Sequence, residues 1–402
     1  MYRAGSRAGF ALKPSSLMGV RLPRRPMTLA DSSFEGGTTV GLSVRPLRSR
    51  IGLTFAVVLA LVGASEVALR LSGALQPVPI QAAEESDNKW TAILQEHDNP
   101  QLGYANVPSI DESVGGESYW HDARGRRVPV EPSLPSDSSL PCVAFLGDST
   151  TYGLGLSARE GLVEQTTKRL GGSIRSLNLG VCGYATEQEV ALYAAERHNL
   201  PGVELVVLVV FPNDFTPIPS LWDESRGILY FDPMPLPRGL RHLLWNSALY
   251  RATVSVTMKM LEGREESCCE PQSGLSTMAK QIERLAVMTR EDGRSLLVAH
   301  LPAMVPLDPY AFAEAERKLE SLCAEQNVDY VDLLDGFLDE RERQCRRFEA
   351  ARGQPLDAAT RTSILSMYWL KYPTDQHLNA AGNRVASGPL AAAVGRALHP
   401  KP

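Results

Sequence analysis

The six cysteines of this 402-residue chain, Cys142, Cys182, Cys268, Cys269, Cys323 and Cys345, include no Cys-x-x-Cys pair. That removes the spacing on which zinc ribbons and thioredoxin-like redox centres depend, and no metal or organic cofactor is implied elsewhere. The adjacent Cys268 and Cys269 do not readily bridge each other without strain, and no disulfide pairing follows from the sequence. Internal repeats and low-complexity tracts are also missing, so repeat architectures have nothing to build on. The main body lacks clustered positive charge. Residues 1 to 50 carry nine Lys/Arg and two Asp/Glu, net +7, whereas the whole chain carries -5, which leaves -12 for the rest. An acidic body argues against nucleic acid as a partner, because phosphate binding needs concentrated cationic surface.

What is there is an ordinary globular composition, 44% hydrophobic and 22% charged, preceded by an apolar segment. The uncharged run Ile51 to Ser65 has fifteen residues, and Glu66 and Arg70 interrupt its apolar continuation to Leu75. Fifteen helical residues span roughly 22 Å, short of a hydrocarbon core of about 30 Å. A spanning helix therefore needs Glu66 and Arg70 at the interface, paired at i,i+4. A cleaved secretory signal, with Met27 as the start and Val62-Gly63-Ala64 or Ile80-Gln81-Ala82 as its site, and a buried helix of a soluble domain are the competing readings. Arg45, Arg48 and Arg50 on the N-terminal flank place the tail in the cytoplasm and the body outside it. The expected organisation is a basic cytoplasmic tail over 1 to 50, a transmembrane signal-anchor over 51 to 75, a linker and N-terminal cover over 76 to 141, and one domain over 142 to 402.

From Cys142 onward, strand and helix patterns alternate. Strands are expected at 142 to 147, 176 to 180, 204 to 211, 295 to 301 and 329 to 333, and helices at 158 to 170, 186 to 198, 275 to 291, 309 to 326 and 379 to 397. Such alternation predicts a parallel sheet between helix layers. Two insertions interrupt it. The first, 215 to 274, includes an amphipathic helix expected from Leu240 to Leu261, either an ordinary helix packing on the sheet or a lid or acyl pocket over its carboxyl edge. The second, 334 to 373, is charged around Arg341 to Arg347 and reads as a solvated face, then turns aromatic at Tyr368, Trp369 and Tyr372.

Four segments at the carboxyl edge of this sheet carry candidate chemistry. Val143 to Leu146 is an apolar strand that stops at Gly147-Asp148-Ser149 and delivers a serine. A serine hydroxyl needs a base to take its proton and donors aimed at the oxyanion that forms. Pro373-Thr374-Asp375-Gln376-His377 supplies an imidazole with a carboxylate nearby, and Asn178-Leu179-Gly180-Val181-Cys182-Gly183 and Phe211-Pro212-Asn213-Asp214 supply amide donors. Taken singly, each segment is as readily a turn or a helix cap.

As an ordered set, Gly-Asp-Ser, Asn-x-Gly-x-x-Gly, Asn-Asp and a terminal Asp/His pair resemble the SGNH/GDSL hydrolases in their membrane-anchored bacterial form, over about Asn99 to His399. The resemblance implies a flavodoxin-like three-layer α/β/α sandwich with a parallel sheet of about five strands. It implies Ser149 as nucleophile, His377 as general base and Asp375 as its orienting partner. It further implies an oxyanion hole from the Ser149 and Gly183 N-H groups and the Asn213 side chain. Two positions depart from the family pattern: Phe211 stands where glycine is usual, and Asp375 lies two rather than three residues before His377, where Thr374 occupies the usual place. The expected function is a serine esterase acting on a small-molecule or glycan ester, such as an O-acetyl group. An O-acyltransferase on the same site and a non-catalytic glycan-binding or assembly protein are the rivals.

Overall fold

The computed structural model describes residues 45–75, 92–114, 116–129, 139–215, 220–223, 228–234, 236–262, 272–303, 310–371 and 375–399. The chain divides into two units, Met1–Leu59 and Ala60–Pro402. Of the first, the described residues are helical and belong to the helix Arg45–Ser72. Within that helix, Leu53–Ser72 is long and apolar enough to cross a membrane. The expected pair forms, Arg70 Nε lying 2.7 Å from Glu66 Oε1. In the second unit Glu66 also accepts from the Ser247 hydroxyl and from the N-H groups of Ala248 and Leu249, so it caps the helix Ala248–Glu262 from outside.

The strands are, in chain order, β1 (Leu94–Glu96), β2 (Tyr104–Asn106), β3 (Asp111–Val114), β4 (Glu117–His121), β5 (Arg127–Val128), β6 (Cys142–Leu146), β7 (Arg175–Asn178), β8 (Val203–Val210), β9 (Ser220–Asp223), β10 (Ile228–Phe231), β11 (Ser295–His300), β12 (Asp329–Asp332), β13 (Trp369–Lys371) and β14 (Asp375–Leu378). The main sheet runs β12-β11-β8-β6-β7-β5-β4-β3. Its first five strands are parallel, as expected, and the last three add antiparallel. Eight strands thus replace the expected five. The extra three come from the segment read as a cover: β4 and β5 pair short polar stretches whose alternation is too brief to stand out in sequence.

The central strands are buried along their length, and their period of two sorts the core into two layers. Val143, Phe145, Val207 and Val209 face Leu162, Phe337, Leu390 and Val394 on one side. Ala144, Leu146, Val206 and Leu208 face Val190, Ile282, Leu285 and Leu319 on the other. Helices Leu162–Arg169, Leu334–Arg352 and Ala380–Leu398 cover the first face, and Thr186–Glu196, Gln272–Glu291 and Ala313–Glu325 the second. Each such Val, Leu or Phe contributes about 1.5–3 kcal/mol by leaving water.

Both insertions are more structured than expected. The helix expected from Leu240 to Leu261 is two, Arg238–Leu244 and Ala248–Glu262, broken where Trp245 is buried and donates to Asp223 Oδ2 at 2.8 Å. Ahead of them β9 and β10 form a hairpin. The charged segment contains the nineteen-residue helix Leu334–Arg352, which buries Leu334, Phe337 and Cys345. So few apolar residues among so many charges hide the helical period. Cys142, Cys182, Cys323 and Cys345 are buried and unbridged, and Cys268 and Cys269 lie outside the described residues, as do 76 to 91 of the expected linker.

Arg127 on β5 joins this N-terminal extension to the centre. Its guanidinium lies 4.5 Å from the Tyr119 ring centroid and 4.7 Å from that of Tyr152, and it donates to the carbonyls of Tyr152, Gly153 and Leu156. Arg127→Ala removes the donor from three buried carbonyls and the cation from two rings. It should cost roughly 3 kcal/mol or more in denaturant unfolding, and Arg127→Lys should restore only part of that, lacking the planar fork.

Candidate active site

Ser149 sits where buried β6 leaves the core. Asp148 caps the short helix Ser149–Tyr152, its Oδ1 accepting from the Thr150 N-H at 2.8 Å and the Thr150 hydroxyl at 2.7 Å. Beside it runs the loop after β7, tied to β6 by Leu179 N-H to Phe145 O and Val181 N-H to Gly147 O. Asn178 donates to Thr151 O at 2.9 Å and accepts from the Gly180 N-H at 2.9 Å. Gly180 passes so close to the serine helix that a Cβ there would stand 2.4 Å from Tyr152 N. Backbone cannot move aside as a flexible side chain can, so only glycine fits.

Gly183 has φ +75 and is held from both sides. The Cys182 carbonyl accepts from Tyr104 Oη at 3.0 Å, and the Gly183 carbonyl accepts from Ser220 Oγ at 2.8 Å. Because a trans peptide directs its N-H opposite its C=O, fixing the Cys182 carbonyl also fixes the Gly183 N-H, pointing away from Tyr104. Tyr184 in turn donates to Tyr104 O, and Asn106 donates to Gly180 O at 3.0 Å. From the first insertion, the β9–β10 hairpin packs on this loop through Ser220 and Leu229 against Gly183. A cavity of about 480 Å³ nearby is lined by Gln101, Thr186, Gln188, Asp214 and Arg241 among others, and does not include Ser149, Gly183, Asn213 or His377 in its lining.

Asn213 projects from the turn Pro212–Asp214, exposed, with Nδ2 donating to Asp148 Oδ2 at 2.9 Å. One of its two N-H bonds is thus spent on orienting the amide beside the serine, leaving a second donor on the same nitrogen. The turn is pinned by buried Asp214, which accepts from Phe211 N-H, Thr186 N-H and the Thr186 hydroxyl at 2.9, 2.7 and 2.9 Å. Phe211 supplies one of those N-H groups from just beyond the end of β8. Burial, then the charge of Asp148, pushes the Asp214 carboxyl up to about 7. Glu189 is fully buried beside it with both oxygens lacking a hydrogen-bond partner, and burial followed by the charges of Asp214 and Asp148 raises it well above the usual range.

His377 lies on β14, half-buried, with Nε2 2.7 Å from Ser149 Oγ. The β13–β14 hairpin and Asn379, which caps the helix Ala380–Leu398 and donates to Met367 O and Trp369 O, fix its position. Asp375 belongs to β14, but its side chain lies outside the described residues, as does Thr374. Sequence reasoning missed Tyr104, Arg127 and Glu189. A buried glutamate among helical apolar positions (Glu189, between Gln188 and Val190) was the one available signal.

No protein-family model matches the chain, and no curated protein matches it. Among solved structures it is similar to a carbohydrate acetylesterase family member from Sinorhizobium meliloti (14% identity, 64% of this chain and 98% of that one, TM-score 0.36). It is also similar to the psychrotrophic esterase EstA from Pseudoalteromonas sp. (12%, 64% and 98%, TM-score 0.36) and to a member of the lipolytic protein G-D-S-L family from Veillonella parvula (14%, 64% and 100%, TM-score 0.35). Identities and TM-scores this low decide nothing about activity in this chain.

Gly180→Ala should destabilise by about 1–3 kcal/mol through forced backbone movement and displace Ser149, so that melting temperature and any Ser149-dependent turnover fall together. For the buried acids the sign is set by linkage. Folded Asp214 and Glu189 hold protons that the unfolded chain has already released, so Asp214 removes stability as pH rises from about 4 through 7 and Glu189 acts in the same direction. Glu189→Gln should flatten that decline in melting temperature over pH 5 to 8, relative to wild type.

Proposed function

We infer that the chain is a serine esterase that cleaves a carboxylic ester through an acyl-enzyme on Ser149. The observation that carries this is the 2.7 Å contact between Ser149 Oγ and His377 Nε2, at the carboxyl edge of the parallel sheet. Neutral His377 takes the hydroxyl proton as Oγ attacks the ester carbonyl carbon. The resulting oxyanion is met by the N-H groups of Ser149 and Gly183 and by the Asn213 amide. Collapse breaks the bond to the alcohol, which leaves with the proton from His377. A water molecule then repeats the sequence, releasing the acid and restoring the serine. Asp375 holds the other imidazole nitrogen and stabilises the imidazolium.

The substrate class that fits this reading is an O-acetylated or similarly short-acyl glycan ester. The helix Leu53–Ser72 anchors the protein in a membrane with the catalytic domain on the extracytoplasmic side, consistent with the basic residues that precede it.

The test is hydrolysis of p-nitrophenyl acetate and longer esters by folded wild type and variants. Ser149→Ala and His377→Ala should each reduce kcat by about 10³-fold or more, and Asp375→Ala by less if a backbone carbonyl shares the orienting role. Activity undiminished in Ser149→Ala contradicts the mechanism. Acyl transfer to a sugar hydroxyl that outpaces hydrolysis would instead identify an acyltransferase.

A further inference from the structure

Three side chains outside the site above meet at the same sheet edge. β11 and β12 are parallel and in register, so their last residues, His300 and Asp332, stand side by side. Glu316 reaches them from the first turn of the intervening helix Ala313–Glu325. His300 Nδ1 lies 3.1 Å from Asp332 Oδ1 and 3.3 Å from Glu316 Oε1. Among the described residues this is the only group of three or more His, Cys, Asp or Glu whose ligand atoms lie within 4.8 Å of one another.

The surroundings fix these atoms. The His300 ring is fully buried against Phe215 and Tyr310, with Nε2 3.4 Å from the Tyr310 hydroxyl. Asp332 Oδ1 also accepts from the Leu334 N-H at 2.8 Å. Glu316 Oε1 is buried and faces His300 Nδ1. Two carboxylates against one imidazole can reach neutrality in two ways, by a proton shared between Glu316 and Asp332 on a protonated imidazole or by a bound cation. A divalent cation with neutral imidazole brings the sum to zero. Ligand atoms about 2.0–2.1 Å from a tetrahedral ion are about 3.3 Å apart, which matches the two observed spacings.

We propose that His300 Nδ1, Glu316 and Asp332 bind one divalent transition-metal cation of the zinc class. The set mixes imidazole nitrogen with carboxylate oxygen, which suits such ions better than calcium or magnesium. Tyr310 orients the imidazole through its other nitrogen. The Asp332 side chain is 23% exposed and that of Glu316 12%, which leaves a path for the ion. The site is structural: it clamps the ends of β11 and β12 to the helix between them, and Phe215, one residue beyond Asp214, packs on its histidine. Spacing in the sequence does not reveal it, because the three residues are sixteen apart and only the parallel register gathers them.

The test uses the full-length chain in detergent, with Cys268→Ser and Cys269→Ser removing adjacent thiols that also bind zinc. After chelator dialysis, zinc ion alone is titrated, with elemental analysis and melting temperature as readouts. One zinc per chain should bind and raise the melting temperature. Glu316→Gln and Asp332→Asn should each weaken binding more than about tenfold, and Ser149→Ala should leave it unchanged. Folded wild type that takes up no zinc overturns the proposal and leaves a shared proton as the balancing charge. Equal binding in wild type, Glu316→Gln and Asp332→Asn overturns it equally, by placing the ion elsewhere.

Discussion

The burial of β6 on both faces governs the arrangement. A strand covered above and below by helices has no exposed face on which to build a site, so chemistry is confined to its carboxyl end, where the chain turns from Leu146 through Gly147 to Ser149. Neighbouring β7 and β8 end at the same edge for the same reason, and bring the Asn178–Gly183 loop and the Pro212–Asp214 turn with them. What differs between these loops is how tightly each is tied, and the ties are mostly to elements outside the parallel core.

The N-terminal extension does much of that tying. Tyr104 and Asn106 on β2 hold the carbonyls of Cys182 and Gly180, and Arg127 on β5 gathers the carbonyls that follow the serine helix. His121 bridges Val107 O and the Tyr152 hydroxyl at 2.7 and 2.8 Å, and burial, the largest influence on it, pushes its pKa down to about 4, so it stays a neutral connector. The cover is therefore part of the site's scaffold. On the proposed mechanism, backbone donors aimed by such contacts would need little reorganisation as charge develops.

The sequence made the core and the Ser149–His377 pair legible for a simple reason: both are written locally. Unbroken apolar runs such as Leu205 to Val210 mark doubly covered strands, and Ser149, Gly183, Asn213 and His377 each sit in a short motif at a strand end. What stayed hidden depends on pairing between distant segments. Three short antiparallel strands carry too little alternation to be seen, and the helix Leu334–Arg352 masks its core-facing Phe337 among charges. The roles of Arg127, Tyr104 and Glu189 emerge only when residues far apart in the chain share a wall. The His300, Glu316 and Asp332 cluster is the same case, visible only once β11 and β12 lie in register.

The central claim is that His377 activates Ser149, and covalent labelling reads this without knowledge of the natural ester. Full-length protein is treated with a fluorophosphonate and the rate and position of the adduct are followed by mass spectrometry. The account predicts a single adduct on Ser149, formed much more slowly in His377→Ala and absent in Ser149→Ala. An adduct on another serine, equal rates in wild type and His377→Ala, or no adduct in folded wild type would contradict it.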